Sequence, residues 1–220
     1  MKITWYGHAA FLIETAGLRI IIDPYRSPDS GGYEPIAEPA DIVIVSHEND
    51  RYHSHLGQIV PPFEVVRALE LPPAGRTVRG IHIEAIHVFE TPERLAEDEV
   101  TIVHFRSEGI HLVHLGDLGH SLTEAELEPI RHADVVLIPA GGAPTIDLPL
   151  VADLLEAIDP RVVIPMHYKT PKINLNIQPL ECFLQAAPAW SAEPAAGGSI
   201  TIEAADLDRS RRIVLLNHIR

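Results

Sequence analysis

Apolar and polar positions alternate in short blocks along this chain, with few long periodic stretches. Residues 10–13 and 18–22 are apolar runs on either side of "ETAG", where Gly17 can close a hairpin. Residues 42–45 form a short continuous apolar run, the pattern of a strand covered on both faces. The middle repeats the theme. Residues 100–105 and 110–115 flank "RSEG", with Gly109 at the turn, and "ADVVLIPAGG" (133–142) parallels "ADIVIVSH" (40–47). Residues 161–165, 199–203 and 212–216 read as further strands, and "AEPAAGG" (192–198) as a loop. Four segments read as helices. One opens at Pro61-Pro62 and carries Phe63, Val66 and Leu69. A second follows the capping box Thr123-Glu124-Ala125-Glu126. A third is capped by Asp147, with Leu150, Val151, Leu154, Leu155 and Ile158 on one face; a fourth is capped by Asn176, with Ile177, Leu180, Phe183, Leu184 and Ala187 at helical spacing.

Two segments, about 9–47 and 101–142, share an order: strand, turn with glutamate and glycine, strand, aspartate, then "AD" and an apolar strand. Hairpins ending in acids are common, so this pattern alone has two readings. Read as an internal repeat, it predicts two stacked sheets related by a pseudo-twofold axis, with Asp23 and Asp117 approaching one edge. Strand-rich halves with outer helices predict an α/β fold of four layers: helices, sheet, sheet, helices. No linker cuts the chain, so residues 1–220 read as one domain.

Composition narrows the function. The formal charge is −14 and the basic residues are scattered, which disfavours nucleic acid as a partner. No apolar run approaches the roughly 20 residues that span a bilayer. The start lacks the pattern of a signal peptide. Cys182 is the only cysteine, so neither an intrachain disulfide nor a zinc ribbon is available. These features fit a cytoplasmic location. Ile173, Leu175 and Ile177 could line a subunit contact in a homo-oligomer, or simply begin a core helix.

Five strands end, directly or within two residues, on groups fit to bind a metal or a proton: His8, Asp23, His47, Asp117 and His167. A single strand-end histidine is more often an ordinary polar residue than a ligand. Five at one rigid sheet edge would be preorganised for a metal, and imidazole with carboxylate suits zinc, manganese or iron.

The segments "WYGHAAFLIETAGLRIIIDP", "ADIVIVSH", "HLGDLGHSLTEAEL", "ADVVLIPAGGAPTID" and "RVVIPMHYKT" resemble, in order, the metallo-β-lactamase superfamily. The similar branch is that of metal-dependent hydrolases related to ascorbate-6-phosphate lactonase. The resemblance runs from Lys2 to about Thr170 and implies an αββα sandwich with a metal site at one edge of two sheets. The family's first motif, H-x-H-x-D-H, falls on the loop after residue 46. Without gaps, His47 keeps the first histidine, while Asn49, Arg51 and Tyr52 replace the other ligands. With one residue inserted, Asp50 and His53 lie one position from the aspartate and the final histidine. The gapless reading suits the flanks better. Glu90 falls where the next ligand histidine belongs, and His87 would face away.

The resemblance then implies a single divalent ion, zinc foremost, held by His47, Glu90, Asp117 and His167, with His53 as an extra ligand. Arg51 would supply a positive charge in place of a second ion. Hydrolysis of a small ester, lactone or phosphodiester by metal-bound hydroxide follows, with Asp117 positioning the water. His167, His53 or His120 would provide the leaving-group proton. His8, Asp23, Arg51, Tyr52 and Lys169 would orient ligands or contact a small substrate, an anionic one among the options. The alternative is a non-catalytic member whose altered site serves as a small-anion-binding or assembly module.

Overall fold

The computed structural model describes residues 1–208 and 211–220. Its strands, in chain order, are β1 (Lys2–Gly7), β2 (Ala10–Thr15), β3 (Leu18–Ile22), β4 (Ile42–Val45), β5 (Glu64–Arg67), β6 (Arg76–Val78) and β7 (Ile81–Phe89). They continue as β8 (Glu99–Ser107), β9 (Ile110–His114), β10 (Val135–Pro139), β11 (Val162–Met166), β12 (Ser191–Pro194), β13 (Ser199–Thr201) and β14 (Arg212–Leu215). Three α-helices accompany them: α1 (Glu124–Leu127), α2 (Leu148–Ile158) and α3 (Leu180–Ala186). One sheet has the order β13-β1-β2-β3-β4-β5, and the other β12-β14-β11-β10-β9-β8-β7-β6.

The two sheets repeat one topology. In the first, β2 and β3 pair antiparallel, then β4 and β5 add in parallel. In the second, β8 and β9 pair antiparallel, then β10 and β11 add in parallel. The order hairpin, aspartate, apolar strand therefore recurs in space as it does in sequence. Alternate residues on each strand face the other sheet. Trp5, Phe11, Ile20, Ile22, Ile42 and Ile44 meet Ile83, Val103, Phe105, Leu112, Leu137 and Ile164 in the inter-sheet core.

The outer layers differ from each other. Helices α1, α2 and α3 bury Leu127, Val151, Leu155 and Phe183 against Val113, Val136, Ile138 and Val163 of the second sheet. The first sheet is covered instead by irregular chain, with Tyr25, Tyr33, Ile36, Ile59, Ile173 and Ile177 packed on Tyr6, Leu12, Ile21 and Val43. The α/β sandwich of two mixed sheets is as expected, and its fourth layer is loop.

Two of the expected helices change. Residues 64–67, read as helical, form the edge strand β5 beside β4. β-branched Val65 and Val66 suit a pleated surface, and pairing with β4 overrides the three-residue apolar spacing. The helix assigned to an Asn176 cap begins only at Leu180, after Pro179. Ile177 precedes it and packs in the loop layer. The capping box at Thr123 forms, whereas Asp147 starts α2 without a side-chain cap bond. Residues 192–194, the start of the segment read as loop, belong to strand β12 at the sheet edge. Among the described residues no helix is long and apolar enough to cross a membrane.

Candidate functional site

The parallel strands of both sheets end at a common edge, where the chain turns sharply. His8 follows β1, Asp23 follows β3 and His167 follows β11, and all three have left-handed backbones, with φ of 51°, 48° and 49°. That conformation costs an L-residue about 1–2 kcal/mol and is tolerated where the surroundings enforce it. Here they do. His8 O accepts hydrogen bonds from His167 N and from Trp5 Nε1, each at 3.0 Å, so two strand ends from different sheets are tied together. Gly116, with φ of 55°, brings the chain from β9 to Asp117; a Cβ there would lie 2.6 Å from Thr101 O.

Asp23 is fully buried and triply bonded. Its Oδ1 accepts from Ser46 N at 2.8 Å, and its Oδ2 accepts from Ser46 Oγ at 2.6 Å. The His53 Nδ1 lies 3.0 Å from the same Oδ2. On its far side His53 presents Nε2 to Asp117 Oδ2, also at 3.0 Å. One imidazole thus spans the aspartates that end the two hairpins. Asp117 Oδ2 is 4.0 Å from His47 Nε2, and Asp117 Oδ1 is 3.7 Å from His167 Nε2. The His8 ring lies 4.2 Å from that of His167 and 5.1 Å from that of His53, centroid to centroid.

These groups perturb one another. Burial would lower the His53 pKa, but the carboxylates of Asp117 and Asp23 outweigh it and push it up to about 10. Burial, aided by the neighbouring His53, pulls His47 down to about 4. His8 is held well below the ordinary histidine value by burial and by His167 and His53. Burial also lowers His167, against the pull of Asp117. Burial opposes ionisation of Asp117 and Asp23, yet the surrounding imidazoles keep both below the usual carboxylate range.

The cluster is unfinished as a hydrogen-bond network. Both ring nitrogens of His8, Nε2 of His47, Nδ1 of His167 and Oδ1 of Asp117 are buried without hydrogen-bond partners. Buried polar atoms are rarely left so. Two triads, His47-His53-Asp117 and His8-His53-His167, bring their ligand atoms within 4.8 Å of one another. Two ligands on one zinc ion lie about 3.3 Å apart. The 3.0, 3.7 and 4.0 Å spacings around Asp117 bracket that value, so the donor set fits a divalent cation.

Other expected site residues lie elsewhere. Arg51 is exposed; its Nε donates to Asp29 O at 2.6 Å and its guanidinium stacks on Tyr52, so it supplies no charge to the cluster. Arg51 turns outward and His53 inward, while Asp50 stays outside, so this loop adds only His53 to His47 at the cluster. Tyr52 is half-buried, its ring 5.1 Å from that of His8. Lys169 spends its ammonium on the carbonyls of Ile173 and Leu175, at 2.8 and 2.9 Å, and so fastens the loop layer.

His120 is not free to donate a proton to a substrate. Its Nε2 accepts from Phe89 N at 3.1 Å, and its Nδ1 lies 3.0 Å from Arg94 Nη2 and 2.8 Å from Ser121 O, so both ring nitrogens are engaged within the protein. It braces the end of β7. Glu90, just past β7, is half-buried and belongs to neither triad; burial and nearby Asp117 raise its pKa. Asp50 pairs with Arg26 and His55 outside the site.

Two positioning residues escaped the sequence reading. Ser46 holds Asp23 and also contacts His47 Nδ1 at 3.0 Å; its place next to a strand-end histidine was the available signal. His114, buried within β9, accepts from Gly116 N through Nδ1, and its Nε2 faces Ala9 O at 3.0 Å. It sets the turn that delivers Asp117. Nothing in an apolar strand pattern marks such a residue.

Residues 2–167 match the β-lactamase superfamily domain. A UPF0173 protein of Pyrococcus abyssi is 30% identical over 186 residues, covering 77% of this chain and 84% of the relative. A UPF0173 metal-dependent hydrolase of Opitutus terrae is 28% identical over 203 residues, covering 80% and 88%. The crystal structure of a Thermotoga maritima protein, provisionally described as a Zn-dependent hydrolase of the metallo-β-lactamase superfamily, superposes with a TM-score of 0.79 at 31% identity, covering 98% of this chain and 97% of the other. With a converging histidine–aspartate edge between two mixed sheets, and with these relatives, the chain belongs to the metallo-β-lactamase superfamily.

Proposed function

We propose that the protein is a metal-dependent hydrolase that holds one divalent ion, zinc foremost, and acts on a small ester, lactone or amide. The carrying observation is the position of His53. Both triads include it, and its Nδ1 is engaged by Asp23. Only Nε2 remains; an incoming cation would displace its proton, and the single lone pair so freed serves one ion. The two triads are therefore competing seats for a single occupant. His47, His53 and Asp117 would hold the ion, with His167 against the second carboxylate oxygen. The relatives described as metal-dependent hydrolases support this reading.

When bound, the ion would supply a Lewis acid and lower the pKa of water. The chain's own groups do the rest. Asp23 fixes the ring orientation of His53, the familiar duty of a carboxylate behind a metal-binding imidazole. Asp117 Oδ1, without a hydrogen-bond partner, orients the attacking water. His167, kept neutral by burial and with Nδ1 unpartnered, would take a proton from the attacking water and hand it to the leaving group. The anion-binding alternative loses its main cation, because Arg51 faces solvent and Asp29.

The test is metal analysis of protein purified without chelator, together with assays on ester, lactone, amide and phosphodiester substrates. One equivalent and metal-dependent turnover are expected. Two equivalents overturn the single-ion reading. A protein that takes up no zinc, manganese or iron overturns the metal-dependent one.

A further inference from the structure

A cleft of about 230 Å³ opens beside the histidine cluster, between the ends of β4 and β7 and the start of β8. His47 forms its inner wall, more than nine-tenths buried, with Nε2 unpartnered. Glu48, Glu90, Glu97, Asp98 and Glu99 line the rest together with Leu69, Ala96 and Val100, and no lysine or arginine does. Arg67 offsets Glu48 from outside the cleft, and His87 contacts Glu99 at 2.8 Å. Asp98 accepts a hydrogen bond from Thr91. The Glu90 and Glu97 carboxylates have no hydrogen bond or ion pair among the described residues.

We propose that this cleft selects a substrate carrying a positive charge, an ammonium or guanidinium group, beside the scissile ester, lactone or amide, and rejects phosphorylated or carboxylated compounds. The inference rests on the hydrolase reading of the adjoining centre and names the substrate class for it. The scissile bond would lie on the His47 side, beside the histidine cluster, and the cationic group among the carboxylates of the cleft. A cleft lined by charge of one sign concentrates the opposite ion, and the overall charge of −14 acts in the same direction. This proposal departs from the expectation of an anionic substrate.

Binding of three uncleaved amides of matched length tests this: 6-aminohexanamide, hexanamide and adipic monoamide, titrated calorimetrically into metal-free and zinc-loaded protein. The cation is expected to bind about tenfold or more tighter than the neutral amide, and the anion more weakly than both. The preference should shrink as salt rises and collapse in Glu97→Lys. Equal binding, or a reversed order, overturns the proposal. So does a full preference retained in both Glu97→Lys and Glu90→Gln. The matching p-nitrophenyl esters separate this idea from the hydrolase reading. Charge-ordered amide binding without ester turnover sinks the hydrolase and leaves the cation site standing. Metal-dependent ester turnover without charge order does the opposite.

Discussion

Two groups of buried histidines in this fold share burial and differ in what their ring nitrogens face. His8, His47, His53 and His167 gather around Asp117 at the strand-end edge, with most of their outward nitrogens unpartnered. His104 on β8 and His111 on β9 point away from the inter-sheet core, where their neighbours Val103, Phe105, Ile110 and Leu112 are packed. They contact mainly each other, His111 Nε2 to His104 Nδ1 at 3.4 Å, and only half-exposed Glu84 comes near, at 3.8 Å from His104. The first group converges on a carboxylate that also receives ties from the opposite sheet. The second is a pair on one sheet face. Burial alone does not make a ligand set; convergence on an anion does.

The largest test of that contrast removes the anion. Asp117→Ala should cut bound metal from one equivalent to below a tenth, by elemental analysis, because the remaining imidazoles lose the charge that gathers them. Retention of a full equivalent would erase the distinction between the two groups. Next, Asp23→Asn should keep the stoichiometry but weaken metal affinity about 10- to 100-fold in a chelator competition, since His53 loses its fixed orientation.

The outer pair should answer to acid rather than to metal. Burial, with Arg106 and His104 adding to it, lowers the His111 pKa to about 4, and burial lowers His104 as well. The folded state therefore keeps a neutral ring while the unfolded chain takes up a proton near pH 6.5. The stabilisation is complete above that pH and is lost as pH falls toward 4, by up to about 3 kcal/mol. Denaturant melts across that window should show a shallower acid decline for His111→Gln than for the parent chain, and equal declines would refute the assignment. The smallest effect is expected at His120. His120→Ala should cost about 1–2 kcal/mol of stability through the orphaned Phe89 N–H and leave metal content unchanged. A loss of metal there would extend the site to a residue that the geometry assigns to bracing.

The strand-end residues were legible because each stands where an apolar run gives way to a polar group, and the duplicated order of strands and aspartates showed which edges would meet. The loop after β4 was less legible. Between His47 and His53 neither periodicity nor propensity says which side chain turns inward. One extra residue exchanges exposed Arg51 for buried His53. Glu90 was assigned by position to the ion and lies in the cleft wall instead, because placement along a strand end does not fix reach. Residues 61–69 were misread because three-residue apolar spacing also suits an edge strand when β4 offers it a partner. His114 and Ser46 support the site through hydrogen bonds, which apolar patterning does not record.

The division of the ion's seat between the two half-molecules has an outcome for assembly. His8, Asp23, His47 and His53 arrive with the first hairpin unit, and Asp117 and His167 with the second, so neither unit folded alone would own a complete coordination sphere. Uptake of the cation should thus report the final docking step, and it would stabilise the docked form by about 2.7 kcal/mol at a hundredfold excess over the dissociation constant. In such a protein, a maturing chain becomes active and gains its last increment of cohesion in the same event.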